Sequence, residues 1–239
     1  MAFIGSNLLS IPIIVVASEG DELTPVGALL TTLVLDGTLI ATALLFAGMI
    51  RRPRAWHFGL RATRLWGAIG WSALAYLAYI AFAAIYVVTV GEPAEQTTAD
   101  DVGADEGGLA LLNAGLLFVV LAPIGEEFFF RGFLYRTLRS RFRVLPAALF
   151  AGAVFGSIHV FTGLEAVPIL GGLGVILCLL YEKTGSLYPC IALHVVNNTL
   201  AYGATTDAGA AEALAFGVPM LAACFLLPRF LHRSSPALP

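Results

Sequence analysis

Residues 25–50 and 65–90 are apolar almost throughout, and the second stretch carries no charged residue. Runs of this length, without the alternation of a half-buried strand, point to helices. In lipid every backbone polar group must be satisfied internally, so only helices or closed barrels span a membrane. The whole chain follows the same pattern. Of its 239 residues, 59% are hydrophobic and 12% charged, and its mean hydropathy is +0.87. That composition excludes an ordinary soluble domain. The expected fold class is all-α: a polytopic membrane protein with seven or eight transmembrane helices.

The expected spans are roughly 2–18, 25–50, 65–90, 108–141, 145–162, 167–182, 186–204 and 209–231, with edges good to about four residues. The first is short. It could also be read as a signal-peptide core ending near Val-Val-Ala-Ser, but no basic region precedes it, which favours a retained helix. Residues 92–107 form a polar, acidic outer loop. This loop divides an N-terminal region, 1–107, from a region, 108–239, that holds all the chemistry.

Charge placement sets the orientation. Glu19, Asp21, Glu22, Glu92, Glu95, Asp100, Asp101, Asp105, Glu106, Glu165, Asp207 and Glu212 fall in one alternating set of loops. Arg51, Arg52, Arg54, Arg61, Arg64, Arg136, Arg139, Arg141, Arg143, Lys183, Arg229 and Arg233 fall in the other. By the positive-inside rule the second set is cytoplasmic, and eight spans would place both termini inside. The basic residues are thus accounted for as topology determinants. With a net charge of −3, nothing points to nucleic acid as a partner. The lipid bilayer is the partner that composition demands. Residues 51–64 read as interfacial, with Trp56 and Phe58 at headgroup level, so His57 and the tail residue His232 are bland. Cys178, Cys190 and Cys224 lie inside apolar segments as small hydrophobes, with no CxxC or zinc-ligand spacing.

Against that background, two adjacent glutamates inside an apolar stretch stand out. Glu126 and Glu127 are followed by three phenylalanines and Arg131. A carboxylate at membrane depth costs several kcal/mol unless it is paired, neutralised or hydrated. Glu127 and Arg131 are four apart and share one helix face, so an ion pair there could fix Glu127. Glu126, about 100° away, can point elsewhere, which suggests one structural glutamate and one available for chemistry. Among phenylalanines its pKa should rise, which suits a general base working near neutrality.

Two later segments carry the matching polar groups. His159 follows Phe155 by four positions, and Asn198 follows His194 by four. Glu126 and His159 are about equally far from the basic hairpin tip near residue 142 or 143. At 1.5 Å per residue, both lie roughly 24 Å from it. His194 lies roughly 13 Å beyond the loop at Thr184-Gly185. If the basic tip protrudes about 10 Å from the membrane, an assumed distance, helices of regular rise bring all three to one depth. A lone membrane His or Asn is more often interhelical glue, and Asp36 in the second span is such a case. Gly125, Gly132, Gly152, Gly156, Gly171, Gly172 and Gly174 read as helix-packing positions, and the Phe128–Phe130 run as packing. Three motifs in order on three spans shift the balance toward a reaction centre.

Those motifs, Glu126-Glu127-Phe-Phe-Phe-Arg131, Phe155-Gly-Ser-Ile-His159 and His194-Val-Val-Asn-Asn198, resemble those of the CPBP intramembrane proteases. This family comprises the CAAX proteases and bacteriocin-processing enzymes, and is also called the Abi family. The resemblance covers about residues 118–203. It implies a helical membrane fold with a polar cavity open toward the cytoplasmic side of the cell membrane. It also implies cleavage of a peptide or membrane-associated protein substrate, as in removal of the last three residues of prenylated CAAX proteins. Carried over, Glu126 and His159 would activate a water, and His194 and Asn198 would stabilise the oxyanion. Glu127 and Arg131 would hold the site in shape. Family members are often labelled metalloproteases. One carboxylate and two imidazoles could ligate zinc with a position left for water, although no HExxH helix is present. A metal-free mechanism uses the same residues. Two further classes remain as alternatives: a transporter or proton relay, and a non-catalytic scaffold of the bacteriocin-immunity type. The confinement of the polar motifs to the C-terminal half counts against a transporter.

Overall fold

The computed structural model describes residues 18–19, 22–91, 108–160, 163–205 and 209–231. The expected first span lies outside these residues except for its last position. The acidic loop 92–107 and His232 also lie outside them. A short antiparallel ladder pairs β1, Ser18–Glu19, with β2, Glu22–Leu23. The long elements are all helices.

Helix α1 is Pro25–Ile50. Thr24 caps it: the Oγ1 accepts the Gly27 N–H at 3.2 Å, and Pro25 takes a first-turn position whose N–H would be orphaned anyway. Helix α2 is Leu65–Val90. A continuous helical run, α3, covers residues 108–139 and is not uniform. Its segments are α-helix Gly108–Gly115, π-helix Leu116–Leu121, α-helix Ala122–Glu127, π-helix Phe128–Tyr135 and α-helix Arg136–Arg139. Helices α4, Val144–Ile158, α5, Ala166–Thr184, α6, Leu187–Thr205, and α7, Gly209–Leu231, follow.

The fold is all-α and membrane-type. Among the described residues, five helical segments are long and apolar enough to cross a membrane: Leu29–Ile50, Leu65–Val90, Ala110–Arg139, Ala166–Thr184 and Ala210–Leu231. Val144–Ile158 is apolar but only 15 residues long. Leu187–Thr205 has 19 residues but is too polar to join the five, because it carries His194, Asn197 and Asn198. Large apolar side chains lie outward along α1, α2 and α7, including Leu45, Leu77, Val88 and Phe230. A soluble monomer does not expose so much contiguous apolar surface.

The chain forms two compact, discontinuous units. The first comprises residues 1–52, 96–129 and 195–220, and the second residues 53–95, 130–194 and 221–239. In the first, α1 packs against the N-terminal part of α3 over a core that includes Leu117, Val119, Pro123 and Val195. Here the expected packing role of Gly125 is met, since a Cβ on it would lie 2.6 Å from Asp36 Cγ. In the second unit, α5 packs against both α4 and α2. The α4–α5 contact is backbone on backbone. A Cβ on Gly152 would lie 2.7 Å from the Gly171 carbonyl oxygen, and one on Gly156 would strike the Val167 carbonyl oxygen. This small-residue seam is how helices associate without a hydrophobic driving force. Gly172 instead faces a side chain: a Cβ on it would strike the Phe82 ring of α2.

The connector between α1 and α2 is built into the second unit. The Leu187 N–H donates to the carbonyl of Gly59, itself at φ +87°, at 2.9 Å. Ser186 Oγ donates to the Arg61 carbonyl at 2.7 Å, and Arg61 Nε donates to the Gly185 carbonyl. Gly185 closes α5 in the left-handed region, φ +61°, which glycine adopts without Cβ strain. The His57 Nδ1 accepts the Arg54 N–H at 3.0 Å.

Candidate active site

Helix α4 ends at Ile158, earlier than the expected edge near 162, and His159 is its C-cap at φ −92°, ψ 14°. Its Nδ1 is 2.7 Å from the Phe155 carbonyl oxygen, one turn back. A carbonyl oxygen only accepts, so Nδ1 is the donor in this bond. The histidine is half-buried.

Phe155 is the hub of this part of the second unit. The His159 ring lies 4.8 Å from its centroid, and the His194 ring stands edge-on at 5.8 Å. Phe130 meets it edge to face at 5.0 Å. Arg131 Cζ sits 4.6 Å over its face. Three of the motif residues, Arg131, His159 and His194, therefore share one aromatic ring. The four-residue spacing points only to a stack of Phe155 and His159. The ring's contacts with Arg131 and His194 depend on tertiary packing and have no sequence signal.

Arg131 is fully buried. Its Nη2 donates to the Gly174 carbonyl at 3.1 Å. Gly174 itself packs closely on α4: a Cβ there would lie 2.9 Å from Gly152 Cα and 3.1 Å from Phe155 Cβ. A desolvated cation–π contact contributes roughly 2 kcal/mol. The same side chain thus ties α5 to the ring that carries the two histidines.

The first unit holds the carboxylates and the amide. Glu127 is fully buried and Glu126 half-buried, both at the end of the Ala122–Glu127 α-segment. Asn198 Nδ2 donates to the Phe118 carbonyl at 2.8 Å, within the π-helical Leu116–Leu121. π-Turns are concentrated at functional sites, and here one presents a carbonyl to a motif residue. Asp36, read from the sequence as interhelical glue, sits against Gly125 and interacts electrostatically with Glu126. Its Oδ2 is buried without a hydrogen-bond partner. Its place as the sole acidic residue of an apolar run is the available signal.

Residues 108–200 match a family model described as type II CAAX prenyl endopeptidase, Rce1-like. The segment is Rce1-like. It contains every motif residue and spans well under half of the chain. No curated protein and no solved structure matched the chain. The Rce1-like family is one of CAAX-type membrane proteases, so at family level the segment indicates a protease acting on a peptide or protein substrate. Among the described residues, no group of three or more His, Cys, Asp or Glu side chains is placed to hold a metal ion.

Proposed function

We propose that the chain is an intramembrane endopeptidase that hydrolyses peptide bonds of membrane-associated substrates near the cytoplasmic face of the cell membrane. One observation carries the reading: the Rce1-like match runs across all three motifs, in order, on α3, α4 and α6. In this proposal Glu126 is the general base. It takes a proton from a water that His159 Nε2 helps to orient, and the hydroxide attacks the scissile carbonyl carbon. His194 and Asn198 donate hydrogen bonds to the oxyanion of the tetrahedral intermediate. Its collapse expels the amine, which receives the proton carried by Glu126. Glu127 and Arg131 keep the glutamate segment in place, and no step is routed through a metal. The Nδ1 bond to the Phe155 carbonyl, which leaves Nε2 as the other ring nitrogen, and the contact of the two rings support this division of roles.

The test is a quantitative comparison of membrane-associated peptides in cells carrying the wild-type chain or Glu126→Ala at equal levels. Peptides that accumulate as C-terminally trimmed forms with the wild type alone are the expected result. Indistinguishable peptide profiles would remove the peptidase reading and leave the scaffold.

A further inference from the structure

The basic residues of this chain are not all alike. Arg51, Arg52, Arg54, Arg141 and Arg143 are exposed, which is all that setting a topology requires. Arg61 and Arg136 are half-buried and line one cavity of about 330 Å³ in the second unit, together with Tyr135, Arg139, Tyr181 and Glu182. Glu182 is the one carboxylate among the lining residues, and its charge is committed. Arg139 forks onto it through Nε at 3.1 Å and Nη2 at 2.9 Å, and Tyr135 Oη donates to it at 2.9 Å.

Arg61 and Arg136 are held by neutral acceptors instead. Arg61 Nε donates to the Gly185 carbonyl. Arg136 Nη1 makes two long bonds, 3.3 Å to Tyr181 Oη and 3.4 Å to the Trp56 carbonyl. Burial lowers the Arg61 pKa, Tyr181 opposes the shift, and the nearby Arg136 charge adds to it. Two like charges facing one half-buried cavity repel each other, and an anion between them reverses the sign. Each guanidinium retains N–H donors, and phosphate oxygens match that planar fork.

The level of the cavity identifies the source of the phosphate. It lies where the candidate spans Ala110–Arg139 and Ala166–Thr184 end, and Arg61 precedes the start of Leu65–Val90. The chain has three tryptophans, and all of them, Trp56, Trp66 and Trp71, fall close to Arg61 in sequence. Lys183 Nζ lies 5.3 Å over the Trp71 ring. Tryptophan and lysine at the end of a span mark headgroup depth. Arg139 and Arg143 also border a second hollow, whose remaining walls are the apolar Val144, Leu145 and Pro146.

We propose that this cavity binds the phosphate of an anionic phospholipid headgroup, with Arg61 and Arg136 as its donors. The proposal does not depend on the peptidase reading. The test uses the purified full chain in mixed micelles, with phosphatidylglycerol, phosphatidylcholine or inorganic phosphate added separately. Lipid retention is read by native mass spectrometry and stabilisation by thermal shift. Phosphatidylglycerol should be retained in preference to phosphatidylcholine. Arg136→Gln should weaken that retention about ten-fold, while the exposed Arg51→Gln leaves it unchanged. Equal retention of the two lipids, or undiminished binding by Arg136→Gln, overturns the proposal. Stabilisation by inorganic phosphate alone to the same extent would assign the cavity to a soluble anion and overturn the lipid. Should Arg136→Gln fail to fold, the wild type decides. Its preference for phosphatidylglycerol should shrink in high salt, and a salt-independent preference counts against the proposal.

Discussion

Glu127 and Arg131 are both fully buried. If the two pair, removing either leaves an uncompensated charge, at about 3–5 kcal/mol in soluble proteins. Glu127→Ala and Arg131→Ala should each lower thermal stability in detergent as well as activity. Arg131→Lys should not rescue fully, since a lysine keeps the charge but loses the planar contact with Phe155. Normal melting of both alanine variants would contradict a structural role. The proposed catalytic residues should behave otherwise. Glu126→Gln and His159→Ala should nearly abolish turnover in protein that still inserts and folds, and Glu126→Gln at wild-type turnover would remove the general base. Asn198→Ala should lower kcat by about 10²–10³ with little change in KM, because an oxyanion donor acts on the transition state. A loss confined to KM would exclude that role. Metal analysis belongs beside these kinetics: stoichiometric zinc that disappears in His194→Ala would sink the metal-free mechanism.

At the scale of elements, the α4–α5 seam is the sharpest test of the packing argument. A methyl on Gly156 would meet the backbone of Val167 and Gly171, which cannot yield as a flexible side chain does. Gly156→Ala should therefore cost about 1–3 kcal/mol, read as a lower melting temperature. A methyl on Gly37 in α1 would meet nothing within 4 Å, so Gly37→Ala should be neutral or stabilise by up to about 1 kcal/mol. Equal effects at both positions would refute the seam. Helices α1 and α2 were legible at their bounds because apolar runs stop at charged or turn-forming residues: Thr24 and Pro25 before α1, arginines around 51 and 64, Gly91 after α2. The seam glycines were legible from their spacing in apolar runs. The two π-segments of α3 were not. A π-turn comes from how the helix packs, and sequence periodicity assumes 3.6 residues per turn. Across Phe128–Tyr135 that period fails, so the four-residue spacing of Glu127 and Arg131 no longer specifies a shared face. The early end of α4 at Ile158 was hidden for a similar reason, since His159 leaves the helix by bonding back to the Phe155 carbonyl.

For the chain as a whole, orientation in the bilayer is the property from which the proposed chemistry takes its compartment. We propose that segregation of Lys and Arg from the acidic loops sets it, with the basic side cytoplasmic by the positive-inside rule; the half-buried Arg61 and Arg136 fall in the basic set. On that reading the proposed lipid site and the approach of a CAAX-type substrate share the basic side. A single inversion would move all three to the outside. Cysteine introduced at position 100, in the acidic loop, should react with a membrane-impermeant thiol reagent added to intact cells. Cysteine at position 141, in the exposed hairpin between Arg139 and Val144, should react only after the cells are opened. The native cysteines Cys178, Cys190 and Cys224 are all buried, so background labelling should be low. Labelling at 141 but not at 100 in intact cells would place the basic face outside. That result would end the case for a cytoplasmic substrate and would carry the proposed lipid site to the outer leaflet with it.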